Sequence, residues 1–223
     1  MNPIVIILPH KAAQETFDRH LPFWEWHGLP VVVAQSSDAP VETRHQQFTY
    51  GPSCHSGADA INKIKAVLHW FAKSGHSHAA IFEYDSLLLQ KRIEFPNGLT
   101  GVLMPNTEPS RFMAPRYPLV PWTVDRASVL RLLEITDRYP TIMEEGAGDR
   151  FMAAICQVAG VPVLPFSPPG YGEGTIQPLF SPTAGLLLDA LQHGARAIHG
   201  IKDKAALDFI VQECRCLGIP LPV

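Results

Sequence analysis

The sequence predicts an α/β fold in which a sheet of mostly buried strands is flanked by helices. Short runs of β-branched and apolar residues alternate with longer segments of helical periodicity, which is the pattern of βα units. Several of these runs are apolar throughout, as expected for strands buried on both faces. At 223 residues, with 46% apolar and 17% charged, the chain suits a single domain over residues 1–223 with a sizeable core.

The first half of the chain alternates strands and helices in order. We expect strands at 3–8, 29–35 and 46–50, and a buried strand from His78 that ends in two carboxylates. A helix is expected over 12–20, with Pro22 interrupting its pattern. The strongest helical periodicity covers 58–74, where an apolar stripe recurs every three to four residues and Gly75 supplies a C-terminal stop.

The second half of the chain is less regular. We expect strands over 99–104 and 161–166, and helices over 126–138, 150–158 and 203–217. The proline-rich segment 111–121 is predicted to be irregular. The segment 167–177 is rich in glycine and proline, which predicts an irregular, mobile loop. Within it, residues 168–174 are expected to close over a bound ligand, with an ordinary surface loop as the alternative.

Two carboxylates, Glu83 and Asp85, follow the buried strand at His78 and are separated by one residue. Strand side chains alternate, so we expect both to point to the same side. The carboxyl end of such a strand is the edge at which open α/β sheets bind ligands. Hard oxygen ligands there would suit a divalent cation carrying a diphosphate. The alternative is a strand end that is acidic without a function.

Composition limits the class of protein. The net charge of −3 argues against a nucleic-acid-coating surface. The four cysteines show no CxxC pair or cysteine–histidine spacing, which argues against a zinc site and favours free thiols in a reducing compartment. No apolar stretch approaches about 20 residues, the length of a membrane span. We therefore expect a soluble, cytoplasmic protein.

Four motifs, in their order along the chain, resemble the GT-A fold of nucleotide-sugar glycosyltransferases. They are Glu83-Tyr84-Asp85, similar to the DxD metal motif; Pro121-Trp122-Thr123-Val124-Asp125-Arg126-Ala127, similar to an acceptor-side loop and helix; Gly148-Asp149-Arg150, at a helix start; and His199-Gly200-Ile201-Lys202, similar to a C-terminal HxxK element. The resemblance covers nearly the whole chain and implies a Rossmann-like mixed sheet. It also implies a nucleotide-binding half over 1–90 and an acceptor half over 91–223 that includes the C-terminal metal and diphosphate element.

The resemblance implies a metal-dependent transfer of a sugar from a nucleotide-diphosphate donor, expected to be a UDP-sugar. Asp85 and His199 would hold Mn²⁺ or Mg²⁺, and a nitrogen ligand beside oxygen favours Mn²⁺. Lys202 would neutralise the diphosphate. The alternative for His199 and Lys202 is a polar turn before a helix. Glu83 departs from the family's aspartate, and it would act through water or on the donor sugar.

Further donor contacts follow from the same resemblance. Pro9, His10 and Gln35 stand where loops after the first two strands meet the base and ribose, and Lys63 resembles a nucleotide-contacting helix position. The alternatives are a polar strand end for His10 and Gln35, and a solvated helix face for Lys63.

Asp149 is the candidate base that deprotonates the acceptor hydroxyl in an inverting transfer. Gly148 before it departs from the Glu-Asp pair of many family members, and the alternative role for Asp149 is a plain helix N-cap. In a retaining enzyme Asp149 would have another role. Trp122 would stack on the acceptor, with core packing as its alternative.

The acceptor is open: a saccharide, a lipid-linked sugar, a protein or, as a minority option, a hydroxymethylated DNA base. Two other functions compete with glycosyl transfer. A nucleotidyltransferase shares the architecture, but usually has a glycine-rich basic loop after its first strand, which Pro9-His10-Lys11-Ala12 lacks. A non-catalytic nucleotide-sugar-binding module is compatible with the two departures at Glu83 and Gly148.

Overall fold

The computed structural model of the protein describes residues 1–9, 14–52, 57–105, 116–139, 148–166, 197–198 and 200–222. Among the predicted site residues, His10 and His199 lie outside this set. The predicted mobile segment 167–177, with its closing loop over 168–174, lies outside it as well.

Seven strands form one mixed sheet in the order β3-β2-β1-β4-β7-β6-β8. They are β1 (Pro3–Leu8), β2 (Val31–Ser36), β3 (Gln46–Tyr50), β4 (His78–Glu83), β6 (Leu99–Pro105), β7 (Arg116–Asp125) and β8 (Val163–Pro165). Strands β1 to β4 are mutually parallel, β7 runs antiparallel to β4 and β6, and β8 is parallel to β6. The predicted α/β class with a mixed sheet is confirmed.

Five helices are described by the structure. They are α1 (Gln14–Glu25), α2 (Gly57–Lys73), α3 (Arg126–Arg138), α4 (Gly148–Ala159) and α5 (Lys204–Cys216). The prediction that Pro22 interrupts the first helix is wrong, because α1 runs through Pro22 to Glu25. The helix loses one backbone donor at Pro22 and continues because Phe23 and Trp24, directly after it, are buried in the core.

The sheet separates two apolar cores. On one face, α2, α3 and α4 pack against alternate strand residues such as Ile4 and Ile6 of β1 and Ile81 of β4. On the other face, α1 packs against the intervening residues, including Val5 and Phe82. This alternation is what a sheet buried on both faces requires.

The prediction of an irregular segment over 111–121 is wrong from Arg116 onwards. Residues Arg116–Asp125 form β7, and Trp122–Asp125 pair with β4 in the middle of the sheet. The register with β6 shifts between Thr100 and Val102, opposite the part of β7 that contains Pro121. A register irregularity is one of the few places where a strand tolerates proline.

A smaller unit covers the end of α1. A two-stranded antiparallel sheet joins β5 (Leu87–Leu88), which follows β4, to β9 (Ala197–Ile198) near the C-terminus. Leu207 and Ile210 of α5 pack with Phe23 of α1 in a third apolar cluster. Through this pairing, the C-terminal part of the chain contacts the residues that follow β4.

Candidate active site

The carboxyl ends of four parallel strands meet at one edge of the sheet. Strand β1 ends at Leu8, β2 at Ser36, β3 at Tyr50 and β4 at Glu83. In open α/β sheets, ligands bind at this edge. The predicted polar residues that the structure describes there fall into two groups, one on each face of the sheet.

The first group joins Asp85 to Lys202. The ammonium Nζ of Lys202 lies 3.8 Å from Oδ2 of Asp85, and the backbone N–H of Ile201 donates to the backbone carbonyl of Asp85 over 2.9 Å. Asp85 is 2% exposed, whereas the Lys202 side chain is 55% exposed. The structure therefore brings the acidic stretch after β4 together with the C-terminal Gly200-Ile201-Lys202 segment, as the sequence predicts.

Helix α1 supports this group from inside the core. The indole Nε1 of Trp24 donates to the backbone carbonyl of Ser86 over 3.1 Å, which fixes the turn that carries Asp85. His20 is fully buried, its ring stacks on Trp24, and its Nδ1 lies 2.8 Å from the carbonyl of Thr16. Burial lowers the pKa of His20, while the Thr16 carbonyl and the charge of Asp85 oppose this shift.

The second group contains Asp149, in the first turn of α4. Although the residue as a whole keeps some exposed surface, its carboxyl group is surrounded by protein. Burial is the main cause that raises the pKa of Asp149 from 3.8 to about 7; the charge of Glu83 adds to the rise, and Lys63 opposes it. A helix N-terminus favours an ionised carboxylate, so desolvation outweighs the helix dipole at this position. A carboxyl group with a pKa near neutrality is suited to general base catalysis.

Lys63 reaches the same group from α2. It is 7% exposed, so the alternative of a solvated helix face for this residue is wrong. The close approach of the two helices explains this burial: a Cβ added at Gly148, the first residue of α4, would lie 2.7 Å from Cδ1 of Ile64. Glycine at position 148 therefore lets α4 approach α2, and a glutamate there would displace Ile64.

Tyr50 is a further member of the second group that the sequence did not reveal. It is the last residue of β3, it is 5% exposed, and its hydroxyl has no hydrogen-bond partner among the described residues. Burial, together with the charges of Glu83 and Asp38, raises the pKa of this hydroxyl. Its signal in the sequence was only its position at the end of a predicted parallel strand.

The expectation that Glu83 and Asp85 point to the same side is wrong. Ala79 and Ile81 face the α2–α4 core, so alternation directs Glu83 to that face, where its charge acts on Asp149. The regular strand ends at Glu83, and the turn that follows, with the Ser86 N–H donating to the Glu83 carbonyl over 3.0 Å, places Asp85 beside Lys202 instead.

Gln35 and Pro9 lie at the same edge. The Gln35 side chain is held by two contacts: its Nε2 donates to Oε1 of Gln47 over 2.8 Å, and its Oε1 accepts from the backbone N–H of Val41 over 3.1 Å. Pro9 is buried directly after β1. Their donor-binding roles stay predictions.

The structure favours packing over acceptor stacking for Trp122. The residue is 3% exposed in the core of β7, and its Nε1 donates to the backbone carbonyl of Pro118 over 3.0 Å. A ring with no exposed face cannot stack on an acceptor, so the predicted acceptor contact is replaced by a structural role. The stretch 121–125 is a central strand and not an acceptor-side loop.

The described residues contain no group of three or more histidine, cysteine, aspartate or glutamate side chains arranged to hold a metal ion by themselves. Asp85 alone still fits one kind of metal site. Magnesium, for example, is usually bound through one or two carboxylates together with substrate phosphates. Asp85, with the exposed cation Lys202 beside it, suits a metal that arrives with a diphosphate.

No protein-family model and no curated protein sequence matches this chain. Among solved structures, the chain is similar to a mutant of Drosophila β-1,4-galactosyltransferase 7 in complex with manganese, UDP-Gal and xylobiose. The match has 13% sequence identity and a TM-score of 0.44; it covers 74% of this chain and 65% of the galactosyltransferase chain. A likeness this distant assigns neither residues nor an activity. In the described part of the chain, no helix has the length and apolar character needed to cross a bilayer.

Proposed function

We propose that this protein is a metal-dependent glycosyltransferase that moves a sugar from a nucleotide-diphosphate donor, expected to be a UDP-sugar, to an acceptor hydroxyl. We further propose that the transfer inverts the anomeric configuration, with Asp149 as the base. Donor contacts are proposed for Pro9, His10, Gln35 and Glu83. The acceptor classes that the sequence left open remain open.

One observation carries the proposal: Asp85 meets Lys202 at the carboxyl edge of the sheet. A transferase of this kind must stabilise negative charge that develops on a departing diphosphate. An acid that can ligate a metal and a lysine that can pair with phosphate are the groups this task requires. Their sequence positions are far apart, and the backbone bond from Ile201 to Asp85 supports their meeting.

Asp149 supports the second half of the reaction. In the proposed step, its carboxylate accepts the proton of the acceptor hydroxyl while that oxygen forms a bond to the anomeric carbon. The bond between the anomeric carbon and the phosphate oxygen breaks, and its electron pair leaves with the diphosphate. With its pKa raised to about 7, roughly half of Asp149 is still ionised at pH 7, and its carboxylate is a stronger base than that of an ordinary aspartate.

The diphosphate end would be held by this chain's own charges and by a divalent ion. Asp85 and His199 are proposed to hold Mn²⁺ or Mg²⁺, which when bound supplies Lewis-acid stabilisation of the leaving group. Lys202 is proposed to bind the diphosphate oxygens directly, because its ammonium group is exposed while remaining within 3.8 Å of Asp85. Burial of Asp85 keeps water away from the other side of this contact.

Calorimetry with Mn²⁺ and a panel of nucleotide sugars tests the proposal. We expect metal-dependent binding of a nucleotide sugar by the wild-type chain and its loss in Asp85→Asn. Asp149→Asn should retain binding and lose transfer and donor hydrolysis. Asp137→Asn is the matched control, because Asp137 is exposed on α3 and pairs only loosely with Lys65 at 3.7 Å.

The alternatives make different predictions in the same assays. Binding without transfer or hydrolysis on any acceptor panel identifies a nucleotide-sugar-binding module. Release of pyrophosphate from a nucleoside triphosphate identifies a nucleotidyltransferase. Failure to bind any nucleotide, with or without metal, refutes the proposed function. Should binding occur, a salt-dependent DNA-binding assay tests the modified DNA base as acceptor, because phosphate contacts weaken steeply as salt rises.

A further inference from the structure

Lys63 is a buried cation whose role the resemblance assigned to nucleotide contact. Its side chain is 7% exposed, and lysine is almost never this buried unless it is paired. The groups around it therefore indicate its function better than its place on α2 does.

Lys63 is placed at the contact between α2 and α4. Ile64, the next residue, is the one that a Cβ at Gly148 would strike at 2.7 Å, so the first turn of α4 lies directly against this part of α2. Asp149 follows Gly148 in that turn, and Lys63 and Asp149 act on each other electrostatically. Glu83 reaches the same place from β4, on the sheet face that α2 and α4 cover.

The group therefore contains two carboxyl groups, Asp149 and Glu83, the buried hydroxyl of Tyr50, and one ammonium, Lys63, with Arg150 next along α4. Two adjacent carboxylates in a buried place repel one another, and a cation between the helices reduces that repulsion. Without the ammonium, the pKa of Asp149 would be higher still, and less of its carboxylate would be available to accept a proton near neutrality.

We propose that Lys63 is a positioning residue for Asp149: a buried ammonium that orients this carboxyl group and allows it to ionise, with no contact to the nucleotide. The inference deepens the proposed function and rests on it for the catalytic consequence. The charge partnership itself does not depend on any substrate. It can therefore be tested on the isolated chain.

The first experiment measures the ionisation of Asp149 without substrate. The pH slope of the difference in unfolding free energy between the wild type and Asp149→Asn, followed from pH 5 to pH 9, has its midpoint at the pKa of Asp149 in the folded state. In a Lys63→Met background this midpoint should move upward by about 1 pH unit, because an opposite charge has been removed. Lys63→Arg keeps the charge and should return the midpoint most of the way to its wild-type pH.

Lys65→Met is the matched control. Lys65 lies on the same helix, about 200° around it from Lys63. It pairs with Asp137 and is not among the charges that act on Asp149, so its removal should leave the midpoint unchanged. A midpoint that stays in place in Lys63→Met, or moves as far in Lys65→Met, overturns the inference.

A second measurement covers the case in which Lys63→Met does not fold. Removing Lys63 leaves the carboxyl group of Asp149 beside Glu83 without its cation, and Asp149→Asn then removes that carboxyl group as well. The double variant with Asp149→Asn should then fold where the single variant does not. If the double variant also fails to fold, Lys63 supports the structure independently of Asp149 and the inference is wrong.

Activity separates this inference from the proposed function. If sugar transfer is found, its pH–rate profile should shift upward in Lys63→Met, with donor KM changed less than kcat. A nucleotide-contacting lysine would instead raise the donor KM without moving the profile, which refutes the inference alone. A shifted stability midpoint with no transfer on any substrate supports the charge partnership and counts against the proposed function.

Discussion

Replacing Asp149 with asparagine should abolish activity and at the same time stabilise the protein at alkaline pH. The pKa of Asp149 is raised from 3.8 to about 7, so the folded state prefers the protonated carboxyl and the unfolded state does not. Stability from this group is fully present below pH 3.8 and is lost as the pH rises through 7. Asparagine has the same shape and cannot ionise, so it escapes this loss.

The size of the effect follows from the shift. About three pKa units at 1.36 kcal/mol each give roughly 4 kcal/mol at pH 8 as an upper limit, since part of the residue remains exposed. At pH 5 the same calculation gives about 1.5 kcal/mol. Asp149→Asn should therefore gain about 2.5 kcal/mol of additional stability over the wild type between pH 5 and pH 8. For a chain of this length each kcal/mol corresponds to about 2–4 °C in Tm.

Urea unfolding at the two pH values measures this difference directly, and thermal unfolding gives an independent check. Glu134→Gln is the control, because Glu134 is an exposed carboxylate on α3 and its removal should change stability little at either pH. Equal stabilisation by Asp149→Asn at pH 5 and pH 8 would show that Asp149 ionises normally, and the argument for it as a tuned base would fail. If Asp149→Asn is more stable than the wild type and still transfers sugar at the wild-type rate, another residue is the base.

Three further predictions concern buried side chains. Burial lowers the pKa of His27 to about 4, so the folded state favours the neutral imidazole. The contribution of His27 to the unfolding free energy is fully present above pH 6.5 and falls by about 3 kcal/mol as the pH drops to 4. His27→Asn should reduce this acid sensitivity, as measured by urea unfolding. Tyr50→Phe removes a buried hydroxyl without a partner among the described residues, and should raise the unfolding free energy by about 1 kcal/mol. Trp122→Ala should lower it by about 3–5 kcal/mol, as for a core aromatic, measured by thermal or urea unfolding.

Each of these has a result that contradicts it. Acid sensitivity that is unchanged in His27→Asn would assign the effect to another buried group, such as His20. A destabilised Tyr50→Phe would show that the hydroxyl does bond, through water or a residue beyond the described ranges. A Trp122→Ala variant of normal stability and raised acceptor KM would return Trp122 to the acceptor site.

The elements with strong local signals were predictable from the sequence. Helix α3 was expected over 126–138 and is found at Arg126–Arg138, and β3 was expected over 46–50 and is found at Gln46–Tyr50. In both cases periodicity and flanking residues agree. The first part of β7 was not predictable, because Pro118 and Pro121 argue against a strand. The register shift lies opposite Pro121, and Pro118 pairs with Leu103 in a part of β7 that does not pair with β4.

The proximity of some candidate residues was predictable, whereas the arrangement of the others was not. That Asp85 and Lys202 would meet followed from the order of the motifs. Glu83 lies near Asp149 and apart from Asp85 because β4 ends at Glu83 and a turn follows. No local sequence pattern determines the residue at which this strand ends. The burial of Lys63 depends on the approach of α4, which Gly148 permits and which is a tertiary effect.

The division of the charged groups between two faces of the sheet has a stereochemical consequence. Lys202 and Asp85 stand on the α1 side of the carboxyl edge, while Asp149 and Lys63 stand on the α2–α4 side. A sugar bound across this edge would have its departing group on one side and the attacking oxygen on the other. This is the disposition that backside displacement requires, and a front-face reaction would need both groups on the same side.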